Sequence, residues 1–587
     1  MSPSLYAFLS RLSVALTLPV LASAPGCGGD SVPGPPDGTV RTVTVTPGEA
    51  AVPVGGTVDF DAVARDGAGD VVQGASPSWS VEDGDVAEID GQGVARGTAE
   101  GTTGVAAEVE GVTGRASLTV SAAGSGRAYQ LAYGTYLGGG DFEEIREPLL
   151  LPDGRLLFGA RTLSDDMPTT GGVVQPSPGG GRGDSYLAIL AADGSRLEAA
   201  TYFGGSGMER PPYGIVRTSD GDVVFGSGTT SPDIPTSAGA YRTSLHAPVP
   251  DPGGGYVCRI SPEFSVLRWC TYTGGGWPRG GLAVDDGDDV LVAGRVTGSG
   301  FSTTPGVVQR DARGTDDAFV LKLRSDGSGA VFSTRLGGSG QGIGEVTLSL
   351  RLGPGGDVFA SGISKSTDFP VTSGAALTQA PGPRDGWLAR LSADASELLY
   401  STLYGGSDEE GIEHRHRLQD DGSILFSGTT RSPDLSMTQG SLSGSTDGFV
   451  GRLSPSGGAF EFARYLGGSG DEALLGPARD GQGRIYVAGN TSSRDLPTSE
   501  DAFQPDFGGG ETDGVLFVLS PDGGTVEHLT YLGGDGDELI RGVVVGPGGE
   551  VYLAGRTTSD DFPVTDGALQ TSRAGGDDGF VVKLVPR

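Results

Sequence analysis

Apolar residues along this chain come in short runs that end at glycine, proline, aspartate or serine. Near the carboxyl end such runs cover residues 539–545, 550–556 and 580–584, and each unit has a fourth run like the one at 529–532. Short runs bounded by turn-forming residues predict β-strands. No stretch has the length and periodicity of a helix. The chain is therefore predicted to be all-β.

Two motifs repeat seven times each. Variants of Thr-Tyr-Leu-Gly-Gly recur every 62 to 70 residues, and variants of Asp-Gly-Phe-Val-Val-Lys-Leu are clearest at 578–584. Four strands in each of seven units predict a seven-bladed β-propeller. The motifs are out of phase, because the first copy of one has no predecessor and the last copy of the other has no follower. We therefore predict that 130–137 pairs with 580–584, so that the N- and C-terminal strands close one blade; an open solenoid is the alternative.

A smaller domain is predicted over residues 39–121. Its alternating apolar and polar residues indicate strands at 43–47, 58–64, 79–81 and 116–120. Several short strands around one central tryptophan, Trp79, predict a small β-sandwich. The small, polar residues 122–128 are predicted to link this domain to the propeller at 129–587.

Four motifs follow one another in the smaller domain: Val54-Gly55-Gly56-Thr57, Trp79-Ser80-Val81-Glu82-Asp83, Val86-Ala87-Glu88-Ile89 and Gly93-Val94-Ala95-Arg96-Gly97. In this order they resemble the group 2 bacterial Ig-like domains of surface proteins and adhesins. The resemblance implies an Ig-like β-sandwich that serves as a spacer and only sometimes binds.

The repeat units carry their own set of motifs: Tyr531-Leu532-Gly533-Gly534, Val551-Tyr552-Leu553-Ala554-Gly555-Arg556-Thr557, Asp561-Phe562-Pro563-Val564-Thr565 and Asp578-Gly579-Phe580-Val581. They resemble the SBBP repeats of seven-bladed propellers in extracellular bacterial and archaeal proteins. That resemblance implies a shape and an extracellular setting, and no particular activity. The recurring Asp-apolar-Pro motif is predicted to be structural, with its apolar residue filling a gap between blades.

The first 27 residues have the features of an export signal, with Arg11 before an apolar run that is too short to span a bilayer. The run ends at Ala24-Pro25-Gly26-Cys27, which resembles the lipobox of bacterial lipoproteins although it lacks the usual leucine and contains Pro25. The resemblance implies that Cys27 is lipidated and that the protein is held in the cell envelope, as an outer-membrane or cell-surface lipoprotein. Simple secretion is the alternative. Residues 28–38, rich in proline and glycine, are predicted to form an extended tether.

The two remaining cysteines, Cys258 and Cys270, are predicted to face each other across one hairpin. An even number of cysteines in an exported protein favours a disulfide. Two small buried apolar residues are the alternative.

The formal net charge is −34, which disfavours nucleic-acid binding and attraction to anionic membranes, so membrane contact is expected only through the lipid. Acidic residues gather after several glycine pairs. We consider them as candidate calcium ligands, because calcium takes several oxygen ligands; solvated acidic turns are the alternative. No other cofactor is expected. The candidates are Asp408, Asp471, Asp535, Asp537 and Glu538.

One polar run interrupts the apolar first strand of the fifth unit: His414, Arg415, His416 and Arg417. First strands line the channel of a propeller, so these residues are candidate ligand contacts, with the histidines on one face and the arginines on the other. A purely structural cluster is the alternative. Few histidines and no nucleophile elbow argue against catalysis.

These observations favour a binding or adhesion protein of the cell surface, recognising a glycan or a protein. An extracellular enzyme that acts on a polysaccharide through carboxylates is one alternative, and a purely structural envelope component is another. Loops that vary between units, such as 236–254, suit recognition.

Overall fold

The computed structural model describes residues 39–587 apart from gaps at 47–48, 54–56, 68–70, 73–74, 100, 122–127, 247–253, 299, 341–343, 413–414 and 437. The predicted export signal with Cys27, the tether, most of the linker and His414 lie outside these residues. The chain divides into two compact units between residues 125 and 126. Among the described residues the one helical segment is a 3-10 turn, Pro354–Gly356, and none forms a helix that could cross a membrane. The all-β prediction is confirmed.

The first unit contains three small sheets, whose strands are, sheet by sheet, Thr42–Thr46 and Asp61–Arg65; Glu49–Pro53, Val112–Ser121, Gly101–Val109 and Ser78–Val81; and Thr57–Asp59, Val94–Gly97 and Ala87–Ile89. Its core includes Phe60, Val105 and Leu118, with Trp79 packed against them. The prediction of a single strand at 58–64 is wrong. Phe60 interrupts it, because its side chain is buried and its N–H donates to Gly93 O at 2.9 Å, and the two halves join different sheets.

The described residues of the second unit form seven sheets, numbered here 1 to 7, whose strands pair antiparallel apart from Thr438–Gln439, which pairs parallel with Phe460–Leu466. Their strands are as follows: sheet 1, Glu143–Leu150, Leu156–Thr162, Asp184–Leu190 and Leu197–Phe203; sheet 2, Gly214–Arg217, Val223–Thr229, Gly254–Ile260 and Leu267–Tyr272; sheet 3, Gly276–Val284, Val290–Thr297, Asp316–Leu323 and Ala330–Leu336; sheet 4, Val346–Leu352, Val358–Ser364, Asp385–Leu391 and Leu398–Tyr404; sheet 5, Glu410–Ile412, Arg417–Leu418, Ile424–Thr430, Asp447–Leu453, Phe460–Leu466 and Thr438–Gln439; sheet 6, Glu472–Leu474, Ala478–Arg479, Ile485–Thr491, Asp513–Leu519 and Val526–Leu532; and sheet 7, Glu538–Val545, Val551–Thr557, Asp578–Pro586 and Tyr129–Leu137.

Sheet 7 combines strands from the two ends of this unit. Tyr129–Leu137 pairs antiparallel with Asp578–Pro586, with Gln130 opposite Val585 and Leu137 opposite Gly579. The predicted pairing of 130–137 with 580–584 is confirmed.

Apolar clusters join each sheet to the next. Seven such clusters occur among the described residues of this unit, and the cluster that contains Tyr133, Val581, Phe158 and Tyr186 joins sheet 7 to sheet 1. Burial of apolar side chains on both faces of each sheet is the main force that holds them together. The fold is all-β and propeller-like.

Candidate functional site

First strands of neighbouring sheets contact one another from sheet 6 through sheets 7, 1, 2 and 3 to sheet 4. They enclose a cavity of about 600 Å³. A concave cavity of this size with a few polar groups is the usual form of a ligand site. Its lining comes from sheets 1 to 5: Glu147, Leu149, Leu150, Leu151, Pro152, Tyr213, Gly214, Ile215, Val216, Arg217, Gly280, Gly281, Leu282, Ala283, Val284, Leu348, Ser349, Arg351 and Arg415.

An ion pair joins two distant parts of this lining. Arg415 donates from Nε to Glu147 Oε2 at 2.6 Å and from Nη1 to Pro148 O at 3.2 Å, and its Nη2 also contacts Glu147 Oε2. Glu147 is buried and Arg415 is mostly buried. Sheets 1 and 5 are not consecutive, so this pair bridges the middle of the unit.

Both partners of this ion pair have unusual backbone conformations. Glu147 has φ 54° and Arg415 has φ 72°, in the left-handed region that non-glycine residues seldom occupy. Each lies where its strand is irregular, since the sheet 1 register shifts between Arg146 and Leu149 and the first strand of sheet 5 is interrupted between Ile412 and Arg417. Such strain persists only where the surroundings maintain it, and it clusters at functional sites.

The described candidate ligand contacts of the run at 414–417 differ in their exposure. Arg415 lines the cavity and Arg417 is exposed, but His416 is completely buried, so it is no ligand contact. His416 donates its N–H to Ser349 Oγ at 2.9 Å, and its Nδ1 lies 2.7 Å from Ser361 Oγ. Burial, with a smaller effect of Arg351, lowers the pKa of His416 well below the usual value and keeps the ring neutral.

Arg351 is a cavity residue that the sequence interpretation missed. Its Nη1 donates to Leu350 O at 2.6 Å, and among the described residues no carboxylate lies within salt-bridge distance of it. Burial, followed by the nearby charge of Arg415, lowers the pKa of Arg351 to about 10. A guanidinium carries five donors, so most of its hydrogen-bonding capacity remains for a ligand or water.

Cys258 and Cys270 lie opposite each other on neighbouring strands of sheet 2 and form a disulfide. Both are completely buried in the apolar cluster between sheets 1 and 2. The bridge thus fastens one hairpin and lies away from the cavity lining.

The five calcium candidates do not converge. Asp408, Asp471 and Asp535 are exposed, and Asp537 Oδ1 accepts the N–H groups of Glu511 and Thr512. Glu538 points inward instead. Within the described ranges no three potential metal ligands come together.

Glu538 belongs to a buried arrangement that recurs between sheets. Its Oε1 accepts hydrogen bonds from Thr557 and Ser559, and its Oε2 accepts the N–H of Gly534 at 3.0 Å. Oε2 faces Asp513 of sheet 6 across Gly533. Equivalent carboxyl pairs, all from buried residues, are Glu143 with Asp578, Glu209 with Asp184, Glu345 with Asp317, Glu410 with Asp385 and Glu472 with Asp447.

Burial favours the protonated form of several of these groups. It raises the pKa of Glu538 to about 7, of Asp385 to about 7 and of Asp513 to about 6. It also raises the pKa of Asp184 to about 7, with a contribution from Glu209. The pairs Glu538 with Asp513, Glu410 with Asp385 and Glu209 with Asp184 are therefore suited to hold a shared proton, whereas Asp317 forms a buried ion pair with Arg335 at 2.9 Å.

A sequence signal for these pairs exists. A glutamate follows the second glycine of a pair by four residues in most units, as with Gly534 and Glu538. At the junction of sheets 2 and 3 the two carboxyl positions are both glycine, Gly254 and Gly276, so the pair is lost as a whole. Clustering of acids in the sequence does not show which side chain points inward, so the calcium prediction treats Glu538 like its exposed neighbours.

Comparisons with known proteins place the chain near no characterised family. No protein-family profile matches it, and no curated protein matches it. Solved structures similar to it include a europium-containing methanol dehydrogenase (TM-score 0.37, 11% identity, 79% of this chain and 95% of that one). Others are the quinohemoprotein alcohol dehydrogenase ADHIIG from Pseudomonas putida HK5 (0.35, 11%, 78% and 76%) and a quinonprotein alcohol dehydrogenase-like protein from Bacteroides thetaiotaomicron VPI-5482 (0.34, 11%, 84% and 97%). At these scores the similarities carry no argument about ligand or reaction.

Proposed function

We propose that this protein is a binding protein of the cell envelope and that its ligand enters the cavity lined by the first strands. The observation that carries the proposal is the ion pair of Glu147 and Arg415, held in a strained backbone across a cavity of about 600 Å³. A fold maintains such strain where rigid placement of side chains is useful, and binding gains from groups already in position.

The platform for this site is proposed to be a closed seven-bladed propeller of SBBP type behind an Ig-like spacer. Support comes from the apolar cluster between sheets 7 and 1 and from the sandwich-like sheets of the first unit. Lipid on Cys27 and the tether at 28–38 would hold this platform in the envelope, where a surface glycan or protein is the proposed partner.

Binding is preferred to catalysis because of the composition of the cavity. Among the described residues that line it, Glu147 is the one acid, and Arg415 occupies its Oε2. Hydrolysis of a glycosidic bond commonly needs two carboxyl groups at a set separation. The lining offers one.

The proposal is tested with a glycan and cell-envelope array probed with residues 28–587, which include every described residue, with and without calcium. Ala283→Trp, which fills the cavity from its wall, is the matched variant, and its thermal melt checks that it folds. We expect one ligand class to bind the unaltered chain and to be lost in the variant. No binding in either condition, or equal binding by the variant, would contradict the proposal.

Export has a separate test. If Cys27 is the lipid-bearing residue, Cys27→Ala moves the protein from the membrane fraction to the soluble fraction of fractionated cells. Unchanged membrane association would show that the anchor is elsewhere.

A further inference from the structure

One end of the central cavity concentrates positive charge in a strongly acidic protein. Arg351 and Arg415 line it there, the charges of Arg415 and Arg417 both lower the pKa of Arg351, and the charge of Glu147 raises it. The chain as a whole carries −34. A partly buried guanidinium without a counter-ion is unfavourable, because it has lost part of its hydration without gaining a partner. The excess of positive charge at this end is suited to an anion.

The arginines at this end are not equivalent. Arg415 is engaged by Glu147 and by Pro148 O. Arg351 donates to one main-chain carbonyl, and among the described residues it has no carboxylate partner. Arg217, the third arginine of the lining, donates from Nε and Nη2 to Gly221 O. Glu147 therefore keeps Arg415 fixed, and Arg351 is the arginine beside this pair that can receive an incoming anion.

The wall beside Arg351 is apolar. Leu149, Ile215, Leu282, Ala283 and Leu348 line the same cavity. Inorganic anions would leave this wall in contact with water, whereas an aliphatic or aromatic body would cover it and gain roughly 25 cal/mol for each Å² of apolar surface removed from water.

We propose that the cavity binds an organic anion with an apolar body, whose charged group pairs with Arg351 and whose body lies against Leu149, Ile215 and Leu282. This inference rests on the proposed function, since it names the class of ligand for the same cavity. Charge-assisted hydrogen bonds to a guanidinium, made in a site that excludes much of the solvent, supply the selectivity for an anion.

The test uses two fluorescent probes with the same aromatic body, titrated into residues 28–587. One is the anion 8-anilinonaphthalene-1-sulfonate, and the other is the uncharged N-phenyl-1-naphthylamine. We expect the anion to bind at least about tenfold more tightly, the size of effect that one charge-assisted hydrogen bond gives. Arg351→Met should abolish this preference, and Arg351→Lys should restore part of it. Arg310→Met, which removes an exposed arginine, is the matched control and should change nothing.

The outcomes separate the two proposals. Equal affinity for both probes would overturn the inference about the ligand class, and so would a preference for the anion that survives Arg351→Met. Cavity binding itself would still stand if Ala283→Trp abolishes the binding of both probes. Binding of both probes that survives Ala283→Trp would overturn the cavity as the site and the inference with it. If Arg351→Met no longer binds the uncharged probe, the cavity has collapsed in that variant. The comparison then uses Arg351→Lys: a preference for the anionic probe in this variant supports the inference, and equal affinity for the two probes contradicts it.

Discussion

Asp513 and Glu538 face the same glycine, and this explains why the first glycine of the repeated pair is needed. A Cβ on Gly533 would lie closer than 3.0 Å to Glu538 Oε2 and to Asp513 Oδ1. The same holds at Gly204 and Gly405, where other pairs meet. The glycine thus provides the space in which two buried carboxyl groups approach each other.

Gly533→Ala is therefore expected to lower stability. The added methyl group has no free space and forces apart two buried carboxyl groups, at a cost of about 1–3 kcal/mol. Thermal unfolding of the variant measures this cost. Gly171→Ala is the control, because a Cβ there meets nothing within 4 Å; equal melting temperatures of the two variants would contradict the proposed role of Gly533.

The carboxyl pairs also predict how stability depends on pH. Burial raises the pKa of Asp513 to about 6 from an ordinary value of 3.8. A group whose pKa is higher in the folded state stabilises the fold at pH values below its unfolded pKa, and this contribution is lost as the pH rises through the folded pKa. We therefore expect the melting temperature to fall between pH 4 and pH 8.

Asp513→Asn isolates this effect. The amide can accept from Gly508 N–H, as the carboxylate does, and can donate toward Glu538 as the protonated acid would. The variant should match the unaltered chain near pH 4 and exceed its stability by about 1–3 kcal/mol at pH 8. Asp566→Asn, at an exposed position, is the control. Lower stability of Asp513→Asn at pH 8 would mean that the pair is fully ionised and balanced by a cation.

At the level of strands, the two irregular segments that carry Glu147 and Arg415 stabilise each other. Each segment departs from regular pairing, and their side chains meet across the cavity. Removal of one partner of a buried ion pair leaves an uncompensated charge, whereas removal of both leaves none.

Arg415→Met should accordingly destabilise the protein by about 3 kcal/mol, and the double variant Glu147→Gln with Arg415→Met should recover much of that loss. Urea unfolding of the single and double variants measures the coupling. Additive losses would show that the two side chains do not depend on each other.

The strands and their closure could be predicted from the sequence, because apolar runs, turn residues and the phase of two motifs are local or periodic signals. The cavity could not. Glu147 and Arg415 are 268 positions apart and meet through strand irregularities that strict alternation does not anticipate. For the same reason His416 was wrongly expected at a ligand surface, and Glu538 was grouped with the exposed acids that neighbour it in sequence.

At the scale of the whole molecule, the charge of −34 and the buried carboxyl pairs favour separation of the sheets as the pH rises, and the apolar clusters oppose it. Every sheet of the second unit shares apolar clusters with two neighbours, so each sheet is most stable when both neighbours are in place. Sheet 7 is complete only when both ends of the unit are present, because Tyr129–Leu137 supplies its outer strand.

Loss of that strand should consequently do more than remove one segment. A chain without residues 129–137 would expose the edge of Asp578–Pro586 and the apolar surface beneath it, where Tyr136 and Leu137 are buried. Exposed edges of this kind pair with other chains, so the truncated protein is expected to aggregate, as light scattering would measure. A synthetic peptide of residues 129–137 should prevent this aggregation by adding the missing strand, as extended peptides do at open sheet edges.

The control is the same peptide with Gly134→Val. A Cβ at Gly134 would collide with the carbonyl oxygen of Pro563, so this peptide cannot take the place of the strand although its edge hydrogen bonds are retained. Rescue by the natural peptide alone would show that the register of this strand, and not general coverage of the edge, holds the two ends of the unit together. Solubility without any peptide would mean that the apolar clusters suffice to close the sheets.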